Sequence, residues 1–243
     1  RQDFEAVGGS LPNHRSRVYA GMIRAVDRSV GRVVQALKDN GIDENTLIIF
    51  TSDNGGANYI GMPDINKPYR GWKLSFFEGG THVPFIMRWP GRLPRGVTFT
   101  HPISHLDVLP TALAAIDETP QASQIDGVNL LPFLTGQKIG APRDTLIWRS
   151  DQYQAILSKG WKMQRSDLPK KTRLYHLTQD PTEQKDVSAQ YPEKIAELST
   201  ILAAHNAQQA PPRWPNGVLM PIWVDKTPAD NVTLEDDYIL WPN

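Results

Sequence analysis

An α/β layer followed by a small α+β subdomain is the fold class this sequence predicts, and three observations predict it. Leu47-Ile48-Ile49-Phe50 is a short, continuous apolar run rich in β-branched and aromatic residues. That is the pattern of a strand buried on both faces, as in a parallel sheet. Ahead of it, Ser16 to Lys38 repeats apolar residues at spacings of three and four, the stripe of an amphipathic helix. From about Arg143 the pattern changes to four short strand-like runs and one helix, which reads as an antiparallel sheet with a packed helix. Residues 1–140 are therefore expected to form the α/β portion. Residues 141–243 are expected to form the smaller subdomain with a Trp- and Pro-rich tail.

Residues 1–15 are polar, with Gly8-Gly9 and Pro12, and read as a loop. The helix stripe comprises Val18, Met22, Ile23, Val26, Val30, Val33, Val34 and Leu37, and Asp39-Asn40-Gly41 ends it. Asp27 and Arg32 are expected to face solvent or a structural neighbour. A helix that enters a buried strand through a short turn is half of a crossover unit. After the strand, Ala57 to Lys67 reads as an irregular connection, Glu78 to His82 as a loop, and Val83 to Trp89 as a second strand. His101 and His105 lie four apart before Asp107. Pro102 intervenes and no third ligand is in sight, so an ordinary helix N-terminal region is expected rather than a metal pair.

In the C-terminal part, strands are expected at Thr145–Arg149, Gln154–Ser158, Trp161–Gln164 and Arg173–Leu177, with a tight turn at Lys159-Gly160. The helix that follows has Pro192 in its first turn and Ile195, Leu198, Ile201 and Leu202 on one face. Trp214, Trp223 and Trp241 are expected to pack the tail along the body.

Lysine plus arginine equals aspartate plus glutamate, at 26 each. Nothing in that balance points to nucleic acid or a charged membrane surface, and no apolar run is long enough to span a bilayer. With no cysteine there are no disulfides. Asn231-Val232-Thr233 fits a glycosylation sequon. A chain that opens Arg1-Gln2 without Met reads as processed or truncated, so a missing leader is uninformative.

The chemistry concentrates where the first strand stops, at Thr51-Ser52-Asp53-Asn54-Gly55-Gly56. A carboxylate and a carboxamide stand side by side at a strand's C-terminal end, the usual place for ligands in open α/β sheets. Hard oxygen donors there suit Ca²⁺ or Mg²⁺. Asp53-Asn54-Gly55-Gly56 also suits a plain turn, because Asp and Asn bond their own backbone and tolerate left-handed conformations. Gly71-Trp72-Lys73 and Glu78-Gly79-Gly80 form two more loaded loops before the second strand.

Taken in order, these motifs resemble the type I sulfatases of the alkaline-phosphatase superfamily. The resemblance rests on Ser52–Gly56, Arg70-Gly71-Trp72-Lys73, and Phe76 to Gly91 with its Glu-Gly-Gly and Val-Pro-Phe. Arg17 to Ile23 with Asp27, Val30, Gly31 and Arg32 extends it upstream. Ser104 to Thr111, Asp126 to Leu134, and Leu174 to Glu183 extend it downstream.

The resemblance implies hydrolysis of sulfate esters of carbohydrates or phenols. It implies Asp53 and Asn54 as ligands of Ca²⁺ (or Mg²⁺), with Asp53 also near the nucleophile, and Lys73 as a catalytic contact to a sulfate oxygen. His82 stands where the family commonly shows arginine, which implies a substrate contact whose charge depends on pH. Arg70 is a second cation in the same stretch. The family's nucleophile, a formylglycine made from Cys or Ser in a C/S-x-P-x-R motif, has no counterpart in this chain. The paired N-terminal aspartates and the G-K-x-H segment are also absent. The chain thus resembles the C-terminal half of a sulfatase. Its expected partners are the missing N-terminal half and the substrate, its compartment periplasmic or secreted, and the isolated chain is expected to be inactive. The alternatives are a phosphoester or phosphonate-ester hydrolase of the same superfamily, and a non-catalytic fragment.

Overall fold

A computed structural model describes residues 2–9, 11, 13–119, 125–211, 213, 217–233 and 235–242. In chain order the elements are α1 (Gln2–Val7), α2 (His14–Asp39), β1 (Ile48–Thr51), α3 (Glu78–Thr81), β2 (Phe85–Arg88), α4 (Val108–Ala115) and α5 (Leu131–Leu134). There follow β3 (Thr145–Ser150), β4 (Tyr153–Ser158), β5 (Trp161–Asp167), β6 (Lys170–His176), α6 (Pro192–Ala207), β7 (Leu219–Trp223) and β8 (Tyr238–Pro242). The chain divides into two compact units. One comprises Arg1–Phe50, Phe85–Thr100 and Leu106–Gly140; the other comprises Thr51–Pro84, His101–His105 and Ala141–Asn243.

In the first unit, Asn13 caps α2 by accepting the Ser16 N–H at 2.8 Å, which satisfies an orphan donor of the first turn. At the other end the Asn40 amide N–H reaches the Ala36 carbonyl. Asp27 and Arg32 are exposed, as expected. Arg88 grips Asp43 with two parallel bonds of 2.7 and 2.8 Å, tying β2 to the turn before β1. Buried Asp107 accepts the Val128 N–H, and buried Thr111 accepts the Leu130 N–H. The two downstream motifs are thus one structural lock.

The expectation for the first strand needs correcting. β1 pairs with β2 in a two-stranded sheet, but it is only half-buried and Phe50 is 37% exposed. Along α2, Met22 is 62% and Ile23 54% exposed, and Val18, Val26 and Val33 are exposed too. Among the described residues, only Trp89, Leu93, Pro110 and Leu130 are buried apolar side chains of this unit. The period predicts which face is apolar; what covers that face is a separate matter.

The second unit has a real core. Its four-stranded antiparallel sheet runs β3-β4-β5-β6. Ser158 pairs with Trp161 across Lys159-Gly160, and both turn residues have positive φ, at 49° and 81°, the backbone a two-residue hairpin turn requires. One face of the sheet carries Ile156, Met163 and Leu174 against Leu198 and Leu202 of α6. The opposite face carries Tyr153, Ala155 and Tyr175, packed with Trp72, Phe76 and Phe77 and with Ile222, Val224 and Ile239 around β7 and β8. Lys162, Gln164 and Arg173 share that second face by register and are also buried. In the tail, the Trp72 indole donates to the Trp223 carbonyl, and Trp241 packs edge-on against Phe76. Trp214 and Pro12 lie outside the described residues.

Candidate active site

Three loops of the second unit are stitched together through their backbones. Gly55 N–H donates to Gly80 O at 3.0 Å, Lys73 N–H to Gly56 O at 3.0 Å, and Gly79 N–H to Arg70 O at 2.7 Å. This brings Ser52–Gly56, Arg70–Lys73 and Glu78–Gly80 into one frame. The approach is too close for any side chain. A Cβ on Gly55 would stand 1.7 Å from the Gly79 carbonyl oxygen, and one on Gly80 would stand 2.1 Å from that of Ser75. Glycine is required here for proximity, not for a left-handed backbone.

Two residues outside the expected set hold the frame. Asn66 accepts the Gly56 N–H at 2.7 Å and donates to Gly56 O and Gly71 O at 2.9 and 3.0 Å. The 57–67 stretch, read from sequence as a connection, therefore supplies a clamp. His105 Nε2 lies 2.8 Å from the Ser52 carbonyl and 3.3 Å from Thr51 Oγ1. A carbonyl only accepts, so Nε2 carries the proton, and this histidine braces the strand end. Position alone carries no sequence signal for either role.

Asp53 is exposed, Asn54 half-buried and Lys73 half-buried. Among the described residues, neither the Asp53 carboxylate nor the Lys73 ammonium has a hydrogen-bond or ion-pair partner. Leu74, directly after Lys73, has φ = 74°, a costly conformation for a branched side chain, and Ser75 locks that turn through the Trp72 N–H and O. No group of three His, Cys, Asp or Glu side chains that could hold a metal ion occurs among the described residues. Asp53 and Asn54 fit a hard cation in kind but supply too few of the six to eight oxygens Ca²⁺ prefers.

Arg70 is committed elsewhere. It makes two 2.6 Å bonds to Asp225 and a 3.3 Å bond to Asp237, and these carboxylates push its pKa up against the effect of burial. Glu78 to Thr81, expected as loop, is the helical turn α3, because bulky Phe76-Phe77 anchor it in the core and its glycines permit close packing. Its Glu78 bonds Lys162 Nζ at 2.6 Å and His82 Nδ1 at 2.8 Å. His82 is stacked on Tyr69, with centroids 4.4 Å apart, and its side chain is half exposed.

Residues 2–118 match the sulfatase family's sequence model. The chain is 41% identical over 149 residues to the uncharacterized sulfatase YdeN of Escherichia coli K12, covering 61% of this chain and 25% of that protein. It is 37% identical over 142 residues to N-acetylgalactosamine-6-sulfatase of Canis lupus familiaris, covering 57% of this chain and 27% of that protein. Among solved structures it is similar to Ps i-CgsB, with TM-score 0.79, 32% identity and coverage of 88% and 48%. It is also similar to the phosphonate monoester hydrolase of Agrobacterium radiobacter, with TM-score 0.62, 28% identity and coverage of 79% and 41%. The chain thus spans a quarter to a half of the length of these proteins. With its motifs gathered in one frame, the chain is similar to sulfatases in sequence over residues 2–118 and in fold, likenesses consistent with the C-terminal part of a sulfatase of the alkaline-phosphatase-like superfamily.

Proposed function

We propose that this chain supplies the metal-loop and lysine side of a sulfuric-ester hydrolase acting on sulfated carbohydrate or aryl sulfate. One observation carries the reading: a backbone frame that leaves an exposed carboxylate and a lysine unpartnered at a strand's C-terminal end. Asp53 and Asn54 would contribute two ligands to Ca²⁺ or Mg²⁺, which when bound draws charge from the sulfate oxygens. The Lys73 ammonium would sit against a sulfate oxygen and take up the charge that develops as the ester bond opens. His82 would provide a further contact to the substrate.

Catalysis would require residues beyond these 243, including the nucleophile. The first unit favours a polypeptide partner for them. Val18, Met22, Ile23, Val26 and Val33 are exposed along α2. Beside β1, Leu47, Ile49, Trp89, Ala112 and Ile116 line an open cavity of about 490 Å³. Exposed apolar patches of this kind mark interaction surfaces, and the proposed occupant is the N-terminal half of the same fold.

Calorimetry on the 243-residue chain with an aryl sulfate, with and without Ca²⁺, tests the reading. Weak binding that is lost in both Asp53→Ala and Lys73→Ala is expected, with no turnover. Both variants should keep their stability within about 0.5 kcal/mol, because neither side chain has a partner to lose. Turnover by the chain alone would remove the need for a missing half. Tighter binding of a phenylphosphonate ester than of the sulfate would move the assignment to phosphonate-ester hydrolysis.

A further inference from the structure

The buried face of the four-stranded sheet holds a charge cluster that reaches His82. Lys162 is fully buried, and its Nζ lies 2.6 Å from Glu78 Oε1 and 3.2 Å from Glu183 Oε1. A hydrogen-bond chain fixes the protons. Phe76 N–H donates to the Tyr153 oxygen, so the Tyr153 hydroxyl donates to Gln164 Oε1, and Gln164 Nε2 then faces Glu183 at 3.1 Å. Glu183 also receives the Glu78 backbone N–H. Surrounded by three donors, Glu183 is an acceptor only. Burial would raise Glu78, but Lys162 and His82 outweigh it and bring its pKa down to about 2; Glu183, more deeply buried, is pushed up despite Lys162.

Two carboxylates face one ammonium in this cluster, and the imidazole of His82 is the next group beyond Glu78. With Glu78 ionised, the contact at 2.8 Å requires the proton on His82 Nδ1. Nε2 is then the outer ring nitrogen. Its one recorded contact is a long one, 3.5 Å to the Tyr69 hydroxyl, weak at that distance, and the Tyr69 ring stacks on the imidazole. The groups that face His82 are thus Glu78 and Tyr69 directly, with Lys162 and Glu183 behind Glu78. His82 lies two residues beyond Gly80, whose carbonyl accepts the Gly55 N–H beside Asp53-Asn54, so its backbone continues directly from the same frame.

We propose that His82 is a specificity residue whose outward Nε2–H takes a second anionic substituent of the substrate, a sulfate or a carboxylate other than the scissile group, and that Glu78 is the positioning residue that aims it. The proposal rests on the sulfate-ester reading above. It assigns Lys73 to the scissile sulfate and His82 to a neighbouring charge on the same sugar.

The test is calorimetric binding of three sugars to the full 243-residue chain: a monosulfated disaccharide, a disulfated one, and a monosulfated one carrying a uronate. At about pH 6 the preferred doubly charged sugar should bind about five- to tenfold more tightly than the monosulfated one. His82→Gln should abolish that preference, His82→Arg should preserve it, and Glu78→Gln should weaken it and move the nitrogen resonance of His82 Nδ1, which loses its carboxylate partner. Which doubly charged sugar gains identifies the substituent. Equal binding of all three, with Lys73-dependent binding of the monosulfated sugar intact, would overturn this inference and leave the sulfate-ester reading standing. Absence of any Lys73-dependent binding would overturn both. Should the variants fail to fold, nitrogen-detected NMR of the unmodified chain decides. A protonated Nδ1 with Nε2 shifted by the doubly charged sugar supports the assignment, and an unmoved Nε2 refutes it.

Discussion

Replacing Lys162 with methionine removes one charge and little volume, and the consequence can be worked from the geometry. The ammonium lies 2.6 Å from Glu78 Oε1 and 3.2 Å from Glu183 Oε1, with no solvent exposure. At an effective dielectric constant of about 20, each contact is worth roughly 5–6 kcal/mol of attraction. Much of this is offset by the desolvation of all three groups. What the variant loses is the compensation: two carboxylates remain buried with no cation between them. Removing one partner of a buried pair costs about 3–5 kcal/mol, and that is the expected loss at neutral pH. The pH dependence gives an independent sign. Glu78 has its pKa lowered to about 2 in the folded protein, so its stabilising contribution is present above the unfolded value of 4.5 and fades as pH falls towards 2. In the variant the orphaned carboxylates take protons more readily, Glu183 first because burial already pushes it up. The gap between variant and parent should therefore narrow by roughly 1–2 kcal/mol between about pH 7.5 and pH 5. Urea titration followed by tryptophan fluorescence reads this unit well, since Trp72, Trp148, Trp161, Trp223 and Trp241 all lie in it. A loss below about 1 kcal/mol, or a gap that widens on acidification, would refute the reasoning. Lys171→Met is the control: that lysine pairs with Asp237 at 2.6 Å but is 44% exposed, and its removal should cost less than about 1 kcal/mol.

Gly80→Ala places a methyl against the Ser75 and Trp72 carbonyls and should cost at least about 2 kcal/mol by thermal melting, with loss of any Ca²⁺ response. Met22→Lys combined with Val26→Glu should leave stability within about 0.5 kcal/mol, since both side chains are exposed here. The same pair should reduce self-association in sedimentation velocity. An unchanged association constant would show that the apolar stripe of α2 is not the adhesive surface.

The fold was legible where one periodicity meets one covered face. The alternation of β3 to β6, the Lys159-Gly160 turn and the packed face of α6 all meet that condition, whereas α2 was legible from its period alone. Lys162, Gln164 and Arg173 were not legible, because alternation tells which residues share a face, and on a strand covered on both faces the polar ones are interior as well. For β1 the failure was the reverse: an apolar run reads as buried whether or not a layer covers it. The site motifs were readable as a group, and their glycines were readable as turns. Their mutual contact was not, because it depends on backbone bonds between segments distant in sequence. Asn66 and His105 act through those same bonds, and an asparagine in a polar loop or a histidine before a helix gives no hint of them. By residue type Arg70 and Lys73 look equivalent in the sequence, and only the family resemblance singles out Lys73. In the structure they separate because Asp225 and Asp237 claim Arg70.

That claim has a consequence for how the protein is made. The carboxylates that neutralise Arg70 follow it by 155 and 167 residues, so on the ribosome the loop carrying Lys73 exists for a long interval with a naked guanidinium beside it. During synthesis the loop carries two unpaired cations, and Arg70 is neutralised only once Asp225 and Asp237 have been made. The order of translation thereby makes the separation of Arg70 from Lys73 a late step in the folding of this unit.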